Sequence, residues 1–225
     1  MVHFTLFGIP VYIRPSFWVV LAIFGGALSI SSVEDLIYPA LFVIAGFVAI
    51  LSHEMGHALV GRKLGGGQQT IVLELFGGLT SSHGMQLTRG GRALMILAGP
   101  MMTLLLGIIS LGLTWNIVAP VMTSYNLNFW DLAISPFTAA LISPKLYILS
   151  CLIMIGEWWT ILNLLPIYPL DGGQLIAQYI RSPRKVFMTG FITAILIGLL
   201  SFQLFHGYFI PIFMALFAYS NYREY

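Results

Sequence analysis

Three residues able to do chemistry lie within five positions, in the run His53-Glu54-Met55-Gly56-His57. Two imidazoles four residues apart share one face of a helix, with Cβ atoms about 5–6 Å apart. That separation suits two ligands of a single Zn²⁺ ion. Glu54 points to another side of the helix, where a carboxylate can take a proton from water activated by the metal. The spacing therefore predicts a catalytic zinc site.

The surroundings of this run favour a chemical role for it. The stretch from Tyr38 to Val60 is apolar and is long enough to cross a bilayer, which takes about 20 residues. An acidic or basic side chain at membrane depth costs about 2.5–3.5 kcal/mol or more. Three titratable residues in such a stretch need a reason that packing alone does not supply, so we interpret them as a metal site.

The composition is that of a protein whose solvent includes lipid. Hydrophobic residues make up 58% of the 225 residues and charged residues 8%, against about 25% charged in soluble domains. The mean hydropathy is +0.91. The net charge of +2 comes without a basic stripe, which argues against a nucleic-acid partner. Cys151 is the one cysteine, so no internal disulfide can form.

The apolar stretches predict an all-α polytopic membrane protein with about six transmembrane helices. They are Phe17–Ile30, Tyr38–Val60, Ala93–Val118, Leu146–Leu165, Val186–Phe205 and Tyr208–Tyr219. The first and last are shorter than a crossing helix requires, so five or four spans remain alternatives. We expect the first to be a retained helix and not a cleaved signal peptide.

Lysine and arginine are distributed unevenly between the two sides of these spans. If the N-terminus is cytoplasmic, the outer segments carry Lys145 with the acidic Asp131, and the other nine basic residues face the cytoplasm. Those nine are Arg14, Arg62, Lys63, Arg89, Arg92, Arg181, Arg184, Lys185 and Arg223. The bias predicts that both termini are cytoplasmic. At 1.5 Å rise per residue, His57 and His53 would lie about 8 and 14 Å below Arg62, so the active site should be near the cytoplasmic side.

A third zinc ligand must come from elsewhere, because catalytic sites usually have three protein ligands and one open position. Asp171 follows a segment in which Pro166 and Pro169 precede Gly172 and Gly173. These residues break the helix, and broken backbone at membrane depth is tolerated only when it is buried or lines a cavity. Such a break would let Asp171 turn towards a metal. The alternative is an ordinary turn at the end of a helix.

The two segments together resemble the site-2 protease family of intramembrane zinc metalloproteases. That family has H-E-x-x-H on one helix and N-x-x-P-x-x-x-L-D-G on a later one, matched here by residues 53–57 and 163–172. The resemblance covers a three-helix core at about residues 38–173. It implies that His53, His57 and Asp171 ligate one zinc ion per chain. It also implies that Glu54 is the general base and acid, and that Asn163 lies near the scissile carbonyl.

The rest of the chain would then be accessory to that core. We expect one membrane-embedded metalloprotease domain over residues 1–225, with accessory helices at about 11–31 and 186–221 and no added soluble domain. On the third helix, Ala98-Gly99-Pro100 is similar to the A-G-P-x-x-N of the family, with Thr103 in place of the usual Asn. The alternative role for Gly99 and Pro100 is a packing notch between helices.

The segment after the second helix predicts strands, not a solvent loop. Residues 68–80 favour extended structure, and Gly77-Gly78 marks a sharp bend. In the resembling family a short re-entrant sheet lies beside the zinc, which implies a membrane-associated hairpin here with Gly77 and Gly78 binding substrate. An exposed strand edge could pair with an unwound substrate by β-augmentation. An ordinary cytoplasmic hairpin is the alternative.

The function predicted from these features is hydrolysis of a peptide bond within or near a transmembrane segment of a membrane-protein substrate, as in regulated intramembrane proteolysis. Two other classes stay open. A zinc or proton transporter would also place His and acidic residues inside helices. A scaffold with a structural zinc site would not need a base such as Glu54.

Glu157, beside Trp158 and Trp159, is expected near the outer interface. The sequence leaves the oligomeric state undetermined.

Overall fold

The computed structural model describes residues 1–75, 77–125, 135–206 and 208–224. The chain forms two compact units, residues 1–160 and 161–225, and each is described by itself. The predicted position of Asp131 on the outer side concerns a residue that lies outside the described ranges, as does part of the segment around it.

The described residues of the first unit form four helices, and a fifth begins in this unit and ends at Asn163. They are α1 (Pro15–Phe24), α2 (Ile37–Gly65), α3 (Arg89–Tyr125), α4 (Pro136–Ala140) and α5 (Pro144–Asn163). Short 3-10 turns at Ala27–Ser29 and Glu34–Leu36 connect α1 to α2. The predicted first helix is shorter than expected, because Gly25 and Gly26 end it after Phe24.

Four helices in the described ranges are long and apolar enough to cross a membrane. They are Glu34–Gly65, Arg89–Ile117, Pro144–Asn163 and Pro183–Leu204, and Pro15–Phe24 is a shorter apolar helix. These helices confirm the expectation of an integral membrane protein that is mostly α-helical. They do not confirm the count of about six spans.

A four-stranded sheet completes the first unit. Its strands are β1 (Val2–Leu6), β2 (Ile9–Ile13), β3 (Gln68–Glu74) and β4 (Gly77–His83), in the order β1-β2-β3-β4. Neighbouring strands run antiparallel except β2 and β3, which are parallel with Val11 opposite Ile71. The hairpin predicted after the second helix is therefore present. It is joined by an N-terminal hairpin that the sequence analysis missed, so residues 11–13 are strand where helix was expected.

The sheet packs against α2 through its alternating buried side chains. Ile9, Val11 and Ile13 on β2 and Ile71 and Leu73 on β3 are buried, since every second residue of a strand faces the same side. They form one core with Phe17 of α1 and with Met55 and Ala58 of α2. The sheet thus lies over the turn of α2 that carries the His and Glu residues.

Two polar contacts tie the ends of the sheet to its surroundings. The Arg14 guanidinium lies 2.7 Å from the Glu74 carboxylate, which links the chain after β2 to the end of β3. Arg62 at the end of α2 donates a hydrogen bond of 2.8 Å to the carbonyl of Phe7 in the first hairpin turn. Both contacts are exposed, and exposed ion pairs add little to stability. We therefore expect them to fix the positions of the strand ends more than to stabilise the fold.

The second unit begins at the end of α5 and continues through α6 (Asp171–Ala177), α7 (Pro183–Phe205) and α8 (Phe209–Glu224). Ile167 of the connection after α5 is buried with Ala194 of α7 and Met214 and Ala218 of α8. The helix break predicted around Pro166 and Pro169 is present, with α5 ending at Asn163. A new short helix then begins at Asp171.

Candidate metal centre and active site

His53 and His57 bring two ring nitrogens together inside α2. Both side chains are buried, with 2% and 8% of their surface exposed. Their Nε2 atoms lie 3.1 Å apart, because residues four apart stack on the same helix face. The structure thus places the two predicted histidine ligands as a converging pair.

The other ring nitrogen of each histidine has a partner on α3. His57 Nδ1 lies 2.8 Å from the carbonyl oxygen of Met95, which can only accept, so Nδ1 carries the proton. His53 Nδ1 lies 3.4 Å from the hydroxyl oxygen of Thr103. In a neutral imidazole the second nitrogen is then an acceptor, which is the arrangement that outer-shell partners give to metal-binding histidines.

The nitrogen pair fits a zinc ion. With both Nδ1 atoms protonated, two lone pairs face each other at 3.1 Å, an arrangement that a cation between them would stabilise. Two nitrogens bound to one zinc at ~2.0–2.1 Å in tetrahedral geometry lie about 3.3–3.4 Å apart. The observed separation is close to that value, and neutral imidazole nitrogens are ligands that zinc prefers.

Gly99 lets the backbone of α3 approach this pair. A Cβ atom added at position 99 would lie 2.2 Å from His57 Nε2 and 2.9 Å from His53 Nε2. Both distances are shorter than any side-chain contact allows, so position 99 must be glycine. Gly56 plays the corresponding part on α2, since a Cβ there would lie 2.4 Å from the carbonyl oxygen of Ala98. The notch expected at Gly99 therefore serves helix packing and the histidine pair together.

Thr103, which replaces the Asn of the resembling family, belongs to a buried hydroxyl cluster. Its Oγ1 lies 3.2 Å from the carbonyl of Gly99 and 3.1 Å from that of Pro100. When Thr103 donates to either carbonyl, its hydroxyl oxygen can accept a hydrogen bond from the His53 Nδ1–H group. Thr160 of α5 lies 3.2 Å away and can donate to it. Thr160 was not singled out from the sequence, because α5 also carries hydroxyl groups at Tyr147 and Ser150.

Glu54 is buried, with 5% exposed, and contacts β4. Its Oε2 accepts a hydrogen bond of 2.7 Å from the hydroxyl of Thr80. A Cβ atom added at Gly78 would lie 2.1 Å from Glu54 Cγ, so the strand can reach Glu54 only with glycine there. Thr80 was also missed. The sequence signal for Thr80 was the alternation of side chains along a strand, which puts residues 78 and 80 on the same face.

Gly77 begins β4 and lies beside Trp159. Its φ is +121°, and an added Cβ would lie 2.8 Å from the Trp159 ring. Within the described part of the chain, β4 is paired on one side with β3. The predicted substrate-binding pair, Gly77 and Gly78, is thus at the start of an edge strand that touches Glu54.

Asn163 and Asp171 lie at the two ends of the break in the second unit. Asn163 is the last residue of α5 and Asp171 the first of α6, with 8% and 5% of their surfaces exposed. A helix break was predicted before Asp171. The structure begins a new helix at Asp171, because the two prolines stop α5 and Gly172-Gly173 allow the chain to turn and restart.

The connection between them is held by side-chain amides. Gln174 donates to the carbonyl of Pro169 at 2.9 Å. Asn221, buried near the end of α8, donates to the carbonyl of Tyr168 at 2.6 Å and to that of Phe217 at 2.9 Å. Asn221 was not singled out from the sequence, where it is one polar residue in the last helix.

Other titratable residues of the chain have different surroundings. Glu74 forms the ion pair with Arg14 described above. His83 is exposed at the end of β4, and His3 and His206 are also exposed. Glu157 is half-buried on α5, next to the exposed Trp158.

Comparison with known families decides between the candidate classes. The sequence profile described as peptidase family M50 matches residues 41–205, which include both motif segments. The chain belongs to peptidase family M50. Its similarity to the site-2 protease family, inferred from the motifs at residues 53–57 and 163–172, is thereby confirmed.

Two relatives illustrate the similarity. A zinc metalloprotease of Methanocaldococcus jannaschii is 29% identical over 174 residues, which cover 77% of this chain and 43% of the relative. The chain therefore spans less than half the length of that protein. The solved structure of a site-2 protease from the same organism matches with a TM-score of 0.62 at 24% identity, covering 99% of this chain and 94% of the other. This likeness shows that the fold is shared.

Membership in the family also identifies the metal. The M50 profile and the zinc metalloprotease relatives agree with the converging nitrogens of His53 and His57. The expected zinc cofactor is confirmed on these grounds.

Proposed function

We propose that this protein is an intramembrane zinc metalloendopeptidase that cleaves a peptide bond within or near a transmembrane segment of another membrane protein, as in regulated intramembrane proteolysis. One observation carries the proposal. Two buried imidazole nitrogens face each other at 3.1 Å, beside a buried carboxylate, on a helix long and apolar enough to cross a bilayer. A hydrolytic metal site needs, besides its ligands, a carboxylate that acts as a base, and Glu54 fits that role.

The residues of the site take the following roles in this proposal. His53, His57 and Asp171 hold one zinc ion per chain, which when bound acts as a Lewis acid towards water and the substrate carbonyl. Glu54 takes the proton from the attacking water and delivers it to the leaving amine. Asn163 donates from its amide to the oxygen on which negative charge develops.

The substrate in this proposal binds as an extended strand. A peptide bond in a membrane helix is shielded by its own hydrogen bonds, so the segment has to unwind before it is cleaved. The edge of β4 that pairs with no other described strand supplies hydrogen-bonding groups for such a segment by β-augmentation. Gly77 and Gly78 at the start of β4, next to Trp159 and Glu54, are the proposed substrate-binding positions.

The proposal includes an orientation in the bilayer. The nine basic residues assigned to one side of the predicted spans support cytoplasmic termini by the positive-inside rule. The active site then lies near the cytoplasmic side, and the whole chain acts as a single catalytic domain, with the core at about residues 38–173.

The test is cleavage of a tagged single-span substrate in liposomes by the native chain, by Glu54→Gln and by chelated protein. The amide of Glu54→Gln cannot accept a proton, so cleavage should be lost while zinc content stays at one per chain. Glu157→Gln is the matched control, because it removes a half-buried carboxylate from another membrane helix and should cleave normally.

Three results would contradict the proposal. Glu54→Gln cleaving as fast as the native chain would rule out the base. Zinc moving across liposomes in the absence of any cleavage would favour a transporter. Full zinc occupancy in Asp171→Ala, with loss in His53→Ala, would show that the third ligand is assigned to the wrong residue.

A further inference from the structure

The hydroxyl group of Thr80 lies between two oxygens of the same glutamate. It is 2.7 Å from Glu54 Oε2 and 3.1 Å from the backbone carbonyl oxygen of Glu54. Thr80 is in the interior of β4, opposite Ile71 of β3, and β3 packs in the core under α2. The hydroxyl is therefore carried by a strand that is held along one edge by β3.

A threonine hydroxyl has one proton to donate. A carboxylate is the stronger acceptor of the two oxygens, and hydrogen bonds to it are short, which agrees with the 2.7 Å distance to Oε2. The donated bond fixes Oε2 and leaves Oε1 as the oxygen that takes up a proton. When Glu54 is protonated on Oε1, Oε2 still accepts from Thr80, so the carboxyl group stays in place through the reaction.

Among the described residues, the Thr80 hydroxyl orients the Glu54 carboxylate. A glutamate side chain has several rotatable bonds, and holding it in one rotamer costs entropy. Gly78 presents no side chain to Glu54, since a Cβ there would overlap Cγ and lie 2.6 Å from Oε1. The strand thus makes room for the carboxylate at position 78 and holds it at position 80.

We propose that Thr80 is a positioning residue that holds Glu54 for proton transfer, and that through it β4 aligns the base with the peptide bound along the same strand. The proposal rests on the proposed roles of Glu54 as base and of β4 as the strand that receives substrate. Glu54 belongs to α2, whereas the substrate peptide binds to the sheet. The hydrogen bond from Thr80 to Glu54 links the position of the base to the strand that binds the peptide.

The test compares two substitutions of similar size. Thr80→Val keeps the branched shape and removes the donor, whereas Thr80→Ser keeps the donor. With Thr80→Val we expect kcat to fall about 10- to 100-fold, because small misplacements of a catalytic group have effects of that order. KM should change little, since the strand edge is intact, and zinc content should stay at one per chain. Thr80→Ser should stay within a few-fold of the native chain.

Thr70→Val is the matched control, because it removes a threonine hydroxyl from the neighbouring strand at a position opposite Ser81. It should leave kcat and KM as in the native chain. If Thr80→Val does not fold, Thr80→Ala replaces it and the comparison with Thr80→Ser is the same. Native kcat in Thr80→Val, or an equal loss in Thr80→Ser, would overturn the proposal.

A second measurement does not depend on cleavage. The measurement is a double-mutant cycle on zinc-free protein. The unfolding midpoints of Glu54→Ala, of Thr80→Val and of the double variant are each compared with that of the native chain. The hydrogen bond predicts that the two effects are not additive, and additive effects would overturn the proposal. If the native chain cleaves nothing, the proposed function fails, and this cycle still decides whether Thr80 holds Glu54.

Discussion

At the scale of single residues, the site depends on partners that the motifs do not contain. The carbonyl of Met95 and the hydroxyl of Thr103 lie next to the Nδ1 atoms of the two histidines. Each partner favours the tautomer whose Nε2 can bind a metal. A backbone carbonyl works whatever the residue at position 95, so His57 depends little on sequence at that point. His53 depends on Thr103 itself.

The hydroxyl of Thr103 should therefore contribute to zinc affinity. Thr103→Val should weaken zinc binding about 10-fold or more, the usual effect of removing an outer-shell partner, and Thr103→Ser should preserve it. Thr114→Val is the control, since Thr114 is also buried on α3 and bonds within its own helix, to Ser110. Competition with a zinc chelator measures all three. Equal affinities for Thr103→Val and Thr114→Val would show that Thr103 does not act on His53.

Gly99 should tolerate no side chain at all. In Gly99→Ala the methyl carbon would lie 2.2 Å from His57 Nε2, so either α3 moves away or the imidazole leaves its place. We expect loss of stoichiometric zinc and a lower unfolding temperature. Gly112→Ala on the same helix meets no atom within 4 Å and should stabilise the helix by about 0.5–1 kcal/mol. Thermal unfolding and zinc content measure both variants, and a Gly99→Ala protein with full zinc would contradict the structure.

At the scale of elements, the sequence predicts what local patterns determine. The long apolar helix α2 follows from hydropathy, and the break around Pro166 and Pro169 follows from the backbone chemistry of proline. The structure contains both features. The N-terminal hairpin was missed because Ile9, Val11 and Ile13 alternate over only five residues, directly before an apolar helix. Thr80 and Asn221 were missed because their roles arise from tertiary contacts with partners 26 and 53 residues away.

Asn221 should affect the site through the loop that precedes Asp171. Its amide donates to the carbonyl of Tyr168, three residues before the proposed ligand. Asn221→Leu keeps the volume and removes a part-buried hydrogen bond to Tyr168, which should cost about 0.5–1.5 kcal/mol. We expect lower stability and weaker zinc binding together. Ser201→Ala, a buried variant on α7 whose hydroxyl bonds within its own helix, should leave zinc affinity unchanged.

If Asn221→Leu unfolds more easily but binds zinc as tightly as the Ser201→Ala control, then Asn221 supports the helix pair only. The position of Asp171 would in that case be set by Gln174 and the backbone of α6. Zinc titrations well below the unfolding temperature separate the two effects.

At the scale of the whole molecule, the distribution of basic residues predicts the orientation of the chain in the membrane. In the proposed orientation, the basic residues Arg89, Arg92, Arg181, Arg184 and Lys185 lie on the cytoplasmic side, because moving them across the bilayer is unfavourable. Single cysteines at Arg89 and Arg184, in a chain where the buried Cys151 is replaced by serine, should react with an impermeant reagent only after the cytoplasmic face is opened. A cysteine at Asp131 should react in intact cells. If position 131 is labelled on the same side as position 89, the proposed orientation is wrong. The cytoplasmic depth expected for His53 and His57 would then lose its support, because it is counted from Arg62, which the same charge bias assigns to the side of Arg89.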